Sequence, residues 1–162
     1  MFTIIQAKPQ YLAEIYTMIL ELAQYEGIYD RIKITESQLA NLLFCDKPNH
    51  FVAIALVDER LVGLAMYNLT YHNICVNVTH GLYVENLYVS PMFHHLGIGT
   101  ALLRHVAFVA KNSNASRLEW WVSKDNPDAQ RFYEKIGAEV LDNWNIYKGS
   151  KACIDQLVGD VI

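Results

Sequence analysis

The sequence has few cysteines, a deficit of basic residues and no long apolar run. Its three cysteines, Cys45, Cys75 and Cys153, are far apart and form no CxxC pair. This spacing excludes the usual zinc-binding patterns and a disulfide framework. Thirteen Lys and Arg residues against seventeen Asp and Glu residues give a formal charge of −4, which argues against a nucleic-acid-binding surface. We therefore expect no metal and no nucleic acid as partners.

The sequence also lacks the patterns of membrane insertion and export. No apolar run approaches the roughly 18 residues that a membrane-spanning helix needs. The N-terminus has no basic segment followed by an apolar core, as a signal peptide would have. We therefore expect a cytoplasmic protein with no membrane partner. Its 162 residues, 52% of them hydrophobic, are expected to form a single folded domain.

Residues 84–100 read as an apolar strand, a loop with glycines and the first turn of a helix, because Leu102 and Val106 continue at helical spacing. The unpaired N–H groups and the dipole at such a helix start suit a phosphate or pyrophosphate. Two common phosphate loops do not fit. The Walker pattern needs a lysine between Gly99 and Thr100, and the dinucleotide pattern needs a glycine where Leu102 stands.

The loop instead resembles the acetyl-CoA pyrophosphate loop of the GNAT superfamily of N-acetyltransferases, whose pattern is Gln/Arg-x-x-Gly-x-Gly/Ala. The sequence fits this pattern except at its first position, where His94 replaces Gln or Arg. The resemblance implies acetyl-CoA as cosubstrate, with its pyrophosphate held largely by backbone donors. The residues that it implies for this contact are His94, His95, Leu96, Gly97, Ile98, Gly99 and Thr100.

The order of the predicted elements is also that of GNAT folds. Strands are predicted over residues 3–7, 51–57, 61–69, 80–89, 117–122, 138–141 and 145–148. Helices are predicted over residues 11–25, 35–44, 100–111, 126–136 and 152–158. The resemblance thus implies an α/β GNAT fold in one domain, 1–162, with a mixed central sheet of about seven strands flanked by helices.

Four stretches resemble the diamine branch of the superfamily, the spermidine/spermine and thialysine N-acetyltransferases. They are LAQYE at 22–26, GLAMY at 63–67, VENLYV at 84–89 and RFYEKIGA at 131–138. The resemblance implies a homodimer and a small primary amine, either a diamine or a lysine-like amine, as acceptor. His72 and Asn86 stand where aspartates occur in the polyamine enzymes. A smaller amine is therefore favoured over a polycation, because each missing carboxylate removes Coulomb attraction.

Tyr133 and Asn126 have a structural and a functional interpretation each. Periodicity alone makes Tyr133 a core aromatic, whereas the resemblance implies that its phenol protonates the departing CoA thiolate. Asn126, followed by a proline, is a plausible helix cap. The resemblance implies that it also hydrogen-bonds the pantetheine arm, and the two roles are compatible.

Two acids and one strand complete the implied site. Glu85 lies in an apolar strand pattern, on either a solvated face or a functional one; the resemblance implies that it contacts the amine and acts as general base, directly or through water. Glu26 is implied as a second substrate-binding acid, although an ordinary acid at a helix end fits equally. Backbone N–H groups along Leu87, Tyr88 and Val89 are implied contacts of pantetheine and of the thioester carbonyl.

Two other functions stay open at this stage. The same fold could acetylate a protein N-terminus or lysine, or it could be a CoA-binding regulatory module without turnover. The presence of both Tyr133 and Glu85 favours an enzyme. The interpretation is direct attack of the amine on acetyl-CoA in a ternary complex, with no acetylated enzyme and no metal.

Overall fold

The computed structural model describes residues 1–71 and 79–159. The chain divides into two compact units, Met1–Trp121 and Val122–Ile162. That all 162 residues form a single domain stays a prediction.

The first unit contains a mixed five-stranded sheet. Its strands are β1 (Thr3–Gln6), β2 (His50–Val57), β3 (Arg60–Thr70), β4 (Gly81–Val89) and β5 (Leu118–Glu119). They lie side by side in the order β1-β2-β3-β4-β5; the β4–β5 pair is parallel, and the other pairs of these described strands are antiparallel. The prediction of about seven strands is therefore wrong in number, and the predicted strand 117–122 contracts to two residues.

The two missing strands, 138–141 and 145–148, lie in the second unit and have no strand structure. Their composition suits a strand, but a strand forms only when a neighbour pairs with it and one of its faces is buried. Here Val140 and Tyr147 are 74% and 91% exposed. A local pattern of four residues carries no information on pairing, and the prediction failed for that reason.

The helices agree better with the sequence pattern. The first unit contains α1 (Leu12–Tyr25), α2 (Glu36–Phe44) and α3 (Ile98–Asn112), and the second contains α4 (Pro127–Lys135) and α5 (Lys151–Gly159). α2 begins with a capping box, in which Thr35 Oγ1 accepts from the Gln38 N–H and Gln38 Oε1 accepts from the Thr35 N–H.

The core of the first unit lies between α1, α2 and one face of the sheet. Its buried residues are Ile15, Met18, Ile19, Leu39, Leu43, Val52, Ile54, Leu64 and Met66. α3 covers the opposite face, where Gly63 provides the space for it. A Cβ on Gly63 would lie 2.9 Å from the Tyr88 carbonyl oxygen and 3.4 Å from Leu102 Cδ1. The missing side chain thus lets α3 pack closely on β3.

Candidate active site

The start of α3 has the backbone geometry of an anion-binding site. Gly97 precedes the helix in the left-handed conformation (φ +80°), and no side chain caps the helix. The first backbone bond runs from the Ala101 N–H to the Gly97 carbonyl. Within the described part of the chain, the N–H groups of Ile98, Gly99 and Thr100 meet no acceptor. Several backbone donors and the positive end of the helix dipole therefore meet at one place.

His94 anchors the loop that leads into this helix. Its Nε2–H donates to the carbonyl oxygen of Val89, the last residue of β4, over 2.7 Å. The next residue, His95, has a left-handed backbone (φ +62°), and the two rings lie edge to face with centroids 6.2 Å apart. The His94 side chain thus stabilises the conformation of the loop. The backbone N–H groups are therefore the main donors for an anion.

Among the described residues, the far edge of β4 has backbone groups without a strand partner next to this loop. Within the described residues, β5 pairs with β4 only at Leu82 and Tyr83. The Ser90 N–H donates to Val62 on β3, and N–H directions alternate along a strand. The N–H groups of Leu87 and Val89 must therefore point away from β3, toward the edge of β4 beyond its pairing with β5. An extended ligand could pair there as an additional strand would.

Glu85 sits on a bulge in β4. The register between β3 and β4 shifts from Met66 opposite Asn86 to Tyr67 opposite Val84, so Glu85 is the extra residue. Bulges redirect a side chain and often occur beside active sites. Glu85 Oε1 lies 2.7 Å from Asn68 Nδ2 and 3.3 Å from His50 Nε2. The sequence prediction did not include these two neighbours, because only the register of three strands brings them together.

A pocket of about 440 Å³ lies beside this cluster. Its lining residues are Asn68, Leu69, Thr70, Tyr71, Tyr83 and Trp121. The rings of Tyr83 and Trp121 meet edge to face at 5.6 Å. Burial raises the pKa of Tyr83, and the negative charge of Glu85 raises it further. Asn68 thus joins an aromatic pocket to the Glu85 carboxylate.

Tyr67, one strand away from Tyr83, belongs to the protein interior instead. Its ring stacks on Phe51 at 5.6 Å, and its hydroxyl donates to Gln6 Oε1 over 3.1 Å. Burial raises the pKa of Tyr67 to about 12. Tyr67 therefore stabilises the first unit and leaves the pocket wall to Tyr71, Tyr83 and Trp121.

Two further predicted residues of the first unit, Glu26 just after α1 and Tyr88 on β4, lie outside the Glu85 cluster. Glu26 follows the last residue of α1, and its N–H donates to the Leu22 carbonyl. Partial burial raises the pKa of the Glu26 carboxyl. The Tyr88 side chain packs on the core, and burial first, then the charge and hydrogen bond of Glu21, raise its pKa.

The second unit contains the other two predicted residues, both on α4. Asn126 caps the helix, because its Oδ1 accepts from the Ala129 N–H over 3.1 Å. The Tyr133 ring lies edge to face with Phe132 at 5.1 Å. Gly137 ends the helix with φ +90°. The predicted cap of Asn126 is confirmed, whereas the catalytic part of Tyr133 and the pantetheine contact of Asn126 stay predictions.

Three of the sequence observations concern metal ions, thiols and membranes. No group of three or more His, Cys, Asp and Glu residues suited to a metal occurs in the described ranges. Cys45 and Cys153 are free and exposed, and Cys75 and His72 lie outside the described residues. Across the part of the chain that the structure describes, every helix is too short or too polar to cross a bilayer.

Comparison with known proteins identifies the family. Residues 13–138 match the Acetyltransferase (GNAT) family, and the chain belongs to this family of enzymes. It is 27% identical over 162 residues to thialysine N-epsilon-acetyltransferase of Bos taurus, with 95% of each protein covered. It is 29% identical to spermidine/spermine N(1)-acetyltransferase-like protein 1 of Homo sapiens, over 83% of this chain and 20% of that protein.

A solved structure supports the same conclusion on the fold. An integron cassette protein from the mobile metagenome of V. cholerae superposes with a TM-score of 0.78 at 25% identity, covering 97% of both chains. The α/β GNAT fold with a mixed sheet is therefore confirmed, with five strands in the part of the chain that the structure describes. The resemblance to the diamine branch is confirmed by the thialysine and spermidine/spermine relatives.

Proposed function

We propose that this acetyltransferase moves an acetyl group from acetyl-CoA to a primary amine on a small molecule, by direct attack in a ternary complex. One observation carries the proposal: a single strand, β4, places Glu85 on a bulge and then runs through the His94 loop into the open start of α3. Glu85 and the proposed anion site thus lie on consecutive elements of the chain, which suits a reaction between an amine that arrives as an ammonium ion and a CoA thioester.

The residues of the first unit fit acetyl-CoA, which supplies the activated acetyl thioester. The N–H groups of Ile98, Gly99 and Thr100 would hold its pyrophosphate, with His94, His95, Leu96 and Gly97 forming the loop around it. The outward N–H groups of Leu87 and Val89, on either side of Tyr88, would hold the pantetheine arm. One of them would also stabilise negative charge on the thioester oxygen.

The proton transfers are assigned to Glu85 and Tyr133. Glu85 would bind the ammonium and accept its proton, directly or through water, since the carboxylate is partly exposed beside the pocket. Tyr133 would donate a proton to the departing thiolate, and Asn126 would hydrogen-bond the pantetheine arm while it caps α4. No residue in this scheme forms a covalent bond to the acetyl group, and no metal takes part.

A lysine-like amine or short diamine is the proposed acceptor. The most similar relatives include a thialysine N-epsilon-acetyltransferase, and thialysine is a lysine analogue. The pocket beside Glu85 has aromatic walls, and none of the described residues that line it is an acid. One ammonium and an uncharged body suit it better than a polycation does. Glu26 would bind a second polar group of the acceptor.

The assembly and the place of action are proposed as well. The apolar side chains exposed on the second unit, Trp144 and Leu157 among them, favour a homodimer. A cytoplasmic location agrees with the use of acetyl-CoA and with the composition.

The test is CoA release from acetyl-CoA across a panel of amines at mildly alkaline pH. The panel would contain thialysine, lysine, putrescine, spermidine, an aminoglycoside and an N-terminal peptide. We expect turnover with one of the first three and an acetylated amine by mass spectrometry. Turnover with the peptide alone would contradict the small acceptor and indicate a protein acetyltransferase. Binding of acetyl-CoA without CoA release on any amine would indicate a regulatory module.

A further inference from the structure

We propose that His50 and Asn68 are positioning residues for Glu85: together they hold one oxygen of its carboxylate and leave the other one facing the amine. This inference rests on the proposed function, because it assigns to two further residues the task of aiming the acid at the acceptor. Neither residue lies in a stretch that identifies the enzyme family by its motif.

The strand register brings the three residues into one cluster. His50 on β2 pairs with Asn68 on β3, and Asn68 pairs in turn with Tyr83 on β4. Three neighbouring strands therefore present the side chains of these residues in one row. The bulge adds Glu85 to this row, because it inserts one residue between Val84 and Asn86.

Both donors converge on the same carboxylate oxygen. Glu85 Oε1 accepts from Asn68 Nδ2 over 2.7 Å and lies 3.3 Å from His50 Nε2. In the described residues no hydrogen bond reaches Oε2 of Glu85. A carboxylate whose one oxygen is held by two donors can rotate little. Its second oxygen therefore keeps its lone pairs and a fixed direction for an ammonium or amine N–H.

The His50 ring is itself held from both sides. Its Nδ1 lies 3.0 Å from Asn49 Oδ1, while Nε2 faces Glu85. Each ring nitrogen therefore faces an oxygen acceptor, so either nitrogen can donate. The side chains of His50 and Glu85 are 23% and 33% exposed, so the pair is partly shielded from water and yet accessible to a small substrate.

This arrangement affects the orientation of the Glu85 carboxylate toward the amine more than it affects the binding of acetyl-CoA. A free glutamate side chain has three rotatable bonds, and catalysis requires one of their combinations. Fixing the carboxylate in advance removes that entropy cost from the step in which the amine loses its proton. The loss of His50 or Asn68 should therefore lower the rate with the amine and leave the affinity for acetyl-CoA unchanged.

The test is a double-mutant cycle between His50 and Glu85, read as kcat and KM for the best amine. We expect His50→Ala to lower kcat/KM for the amine about tenfold, with KM for acetyl-CoA unchanged. His50→Gln retains an N–H donor of similar reach and should recover most of the loss. Lys47→Gln is the matched control, because it removes an exposed basic side chain from the turn just before β2.

The cycle gives a clear decision. If His50 acts through Glu85, His50→Ala causes no further loss in a Glu85→Gln background. An equal tenfold loss in both backgrounds, or a loss that resides in KM for acetyl-CoA, would overturn the inference and leave the proposed function standing. A parent protein that acetylates no amine would overturn both. Should His50→Ala fail to fold, the cycle of Asn68→Ala with Glu85→Gln decides in the same way.

Discussion

The two units of the chain are built differently. The first contains all the fully buried residues of the described chain, packed from both sides on one sheet. In the second, no described residue is buried. Its exposed large apolar residues are Ile136, Val140, Leu141, Trp144, Ile146, Tyr147, Ile154, Leu157 and Val158. Stability is thus concentrated in the unit with the anion site and Glu85, whereas Tyr133 lies in a unit that packs little by itself.

This difference bears on the proposed chemistry. A binding site on rigid, buried elements is pre-organised before the ligand arrives. A helix with few buried contacts opens or moves at low cost in free energy. We therefore expect the first unit to supply most of the acetyl-CoA binding, and the second unit to add the pantetheine contact of Asn126 and the proton donor Tyr133. Each of the following variants tests one side of this division.

Core substitutions should have the largest effect on stability, and only in the first unit. Leu64 is fully buried, whereas Leu141 is 64% exposed. Leu64→Ala should lower the free energy of unfolding by about 3 kcal/mol, through lost burial and a cavity. Leu141→Ala should change it by less than about 0.5 kcal/mol. Denaturant unfolding followed by circular dichroism measures both. Equal losses would contradict the division.

Alkaline pH should destabilise the first unit through Tyr67. Because burial raises the pKa of Tyr67 to about 12, the folded protein holds the phenolic proton more tightly than the unfolded chain does. Stability is therefore complete below about pH 10, and it falls between about pH 10 and 12 by about 1.4 kcal/mol per pH unit.

The control for this effect is Tyr67→Phe, which loses the hydrogen bond to Gln6 but has no proton to release. Its unfolding free energy, measured by urea titration at several pH values, should decline less steeply over this window. An unchanged slope would show that Tyr67 is not the group responsible.

Helix caps should give the smallest effect and again separate the units. Thr35→Ala removes the capping box of α2, which carries the buried residues Leu39 and Leu43, and should cost about 1 kcal/mol of global stability. Asn126→Ala removes the cap of α4, which has no buried residue. For Asn126→Ala we expect a smaller change in the unfolding midpoint than for Thr35→Ala. We also expect a higher KM for acetyl-CoA, because the proposed pantetheine contact is lost. A larger change in the midpoint for Asn126→Ala than for Thr35→Ala would contradict the proposed difference between the two units.

The sequence predicts local features well and pairings poorly. The helix predicted over residues 11–25, the cap at Asn126 and the glycine at the start of α3 each depend on residues that are close in sequence, so the pattern contains them. The strands predicted at 138–141 and 145–148 fail because pairing is not local. His50 and Asn68 are missed for the same reason, since only the register of β2, β3 and β4 brings them to Glu85.

The measurement that tests the account most directly compares binding and turnover in Tyr133→Phe. Acetyl-CoA affinity would be measured by isothermal titration calorimetry, and CoA release with the best amine by a thiol assay. The account predicts an affinity within about twofold of the parent protein and a kcat lower by about a hundredfold or more, the usual contribution of a general acid. A variant that keeps its turnover would contradict the assignment of the acid to the second unit.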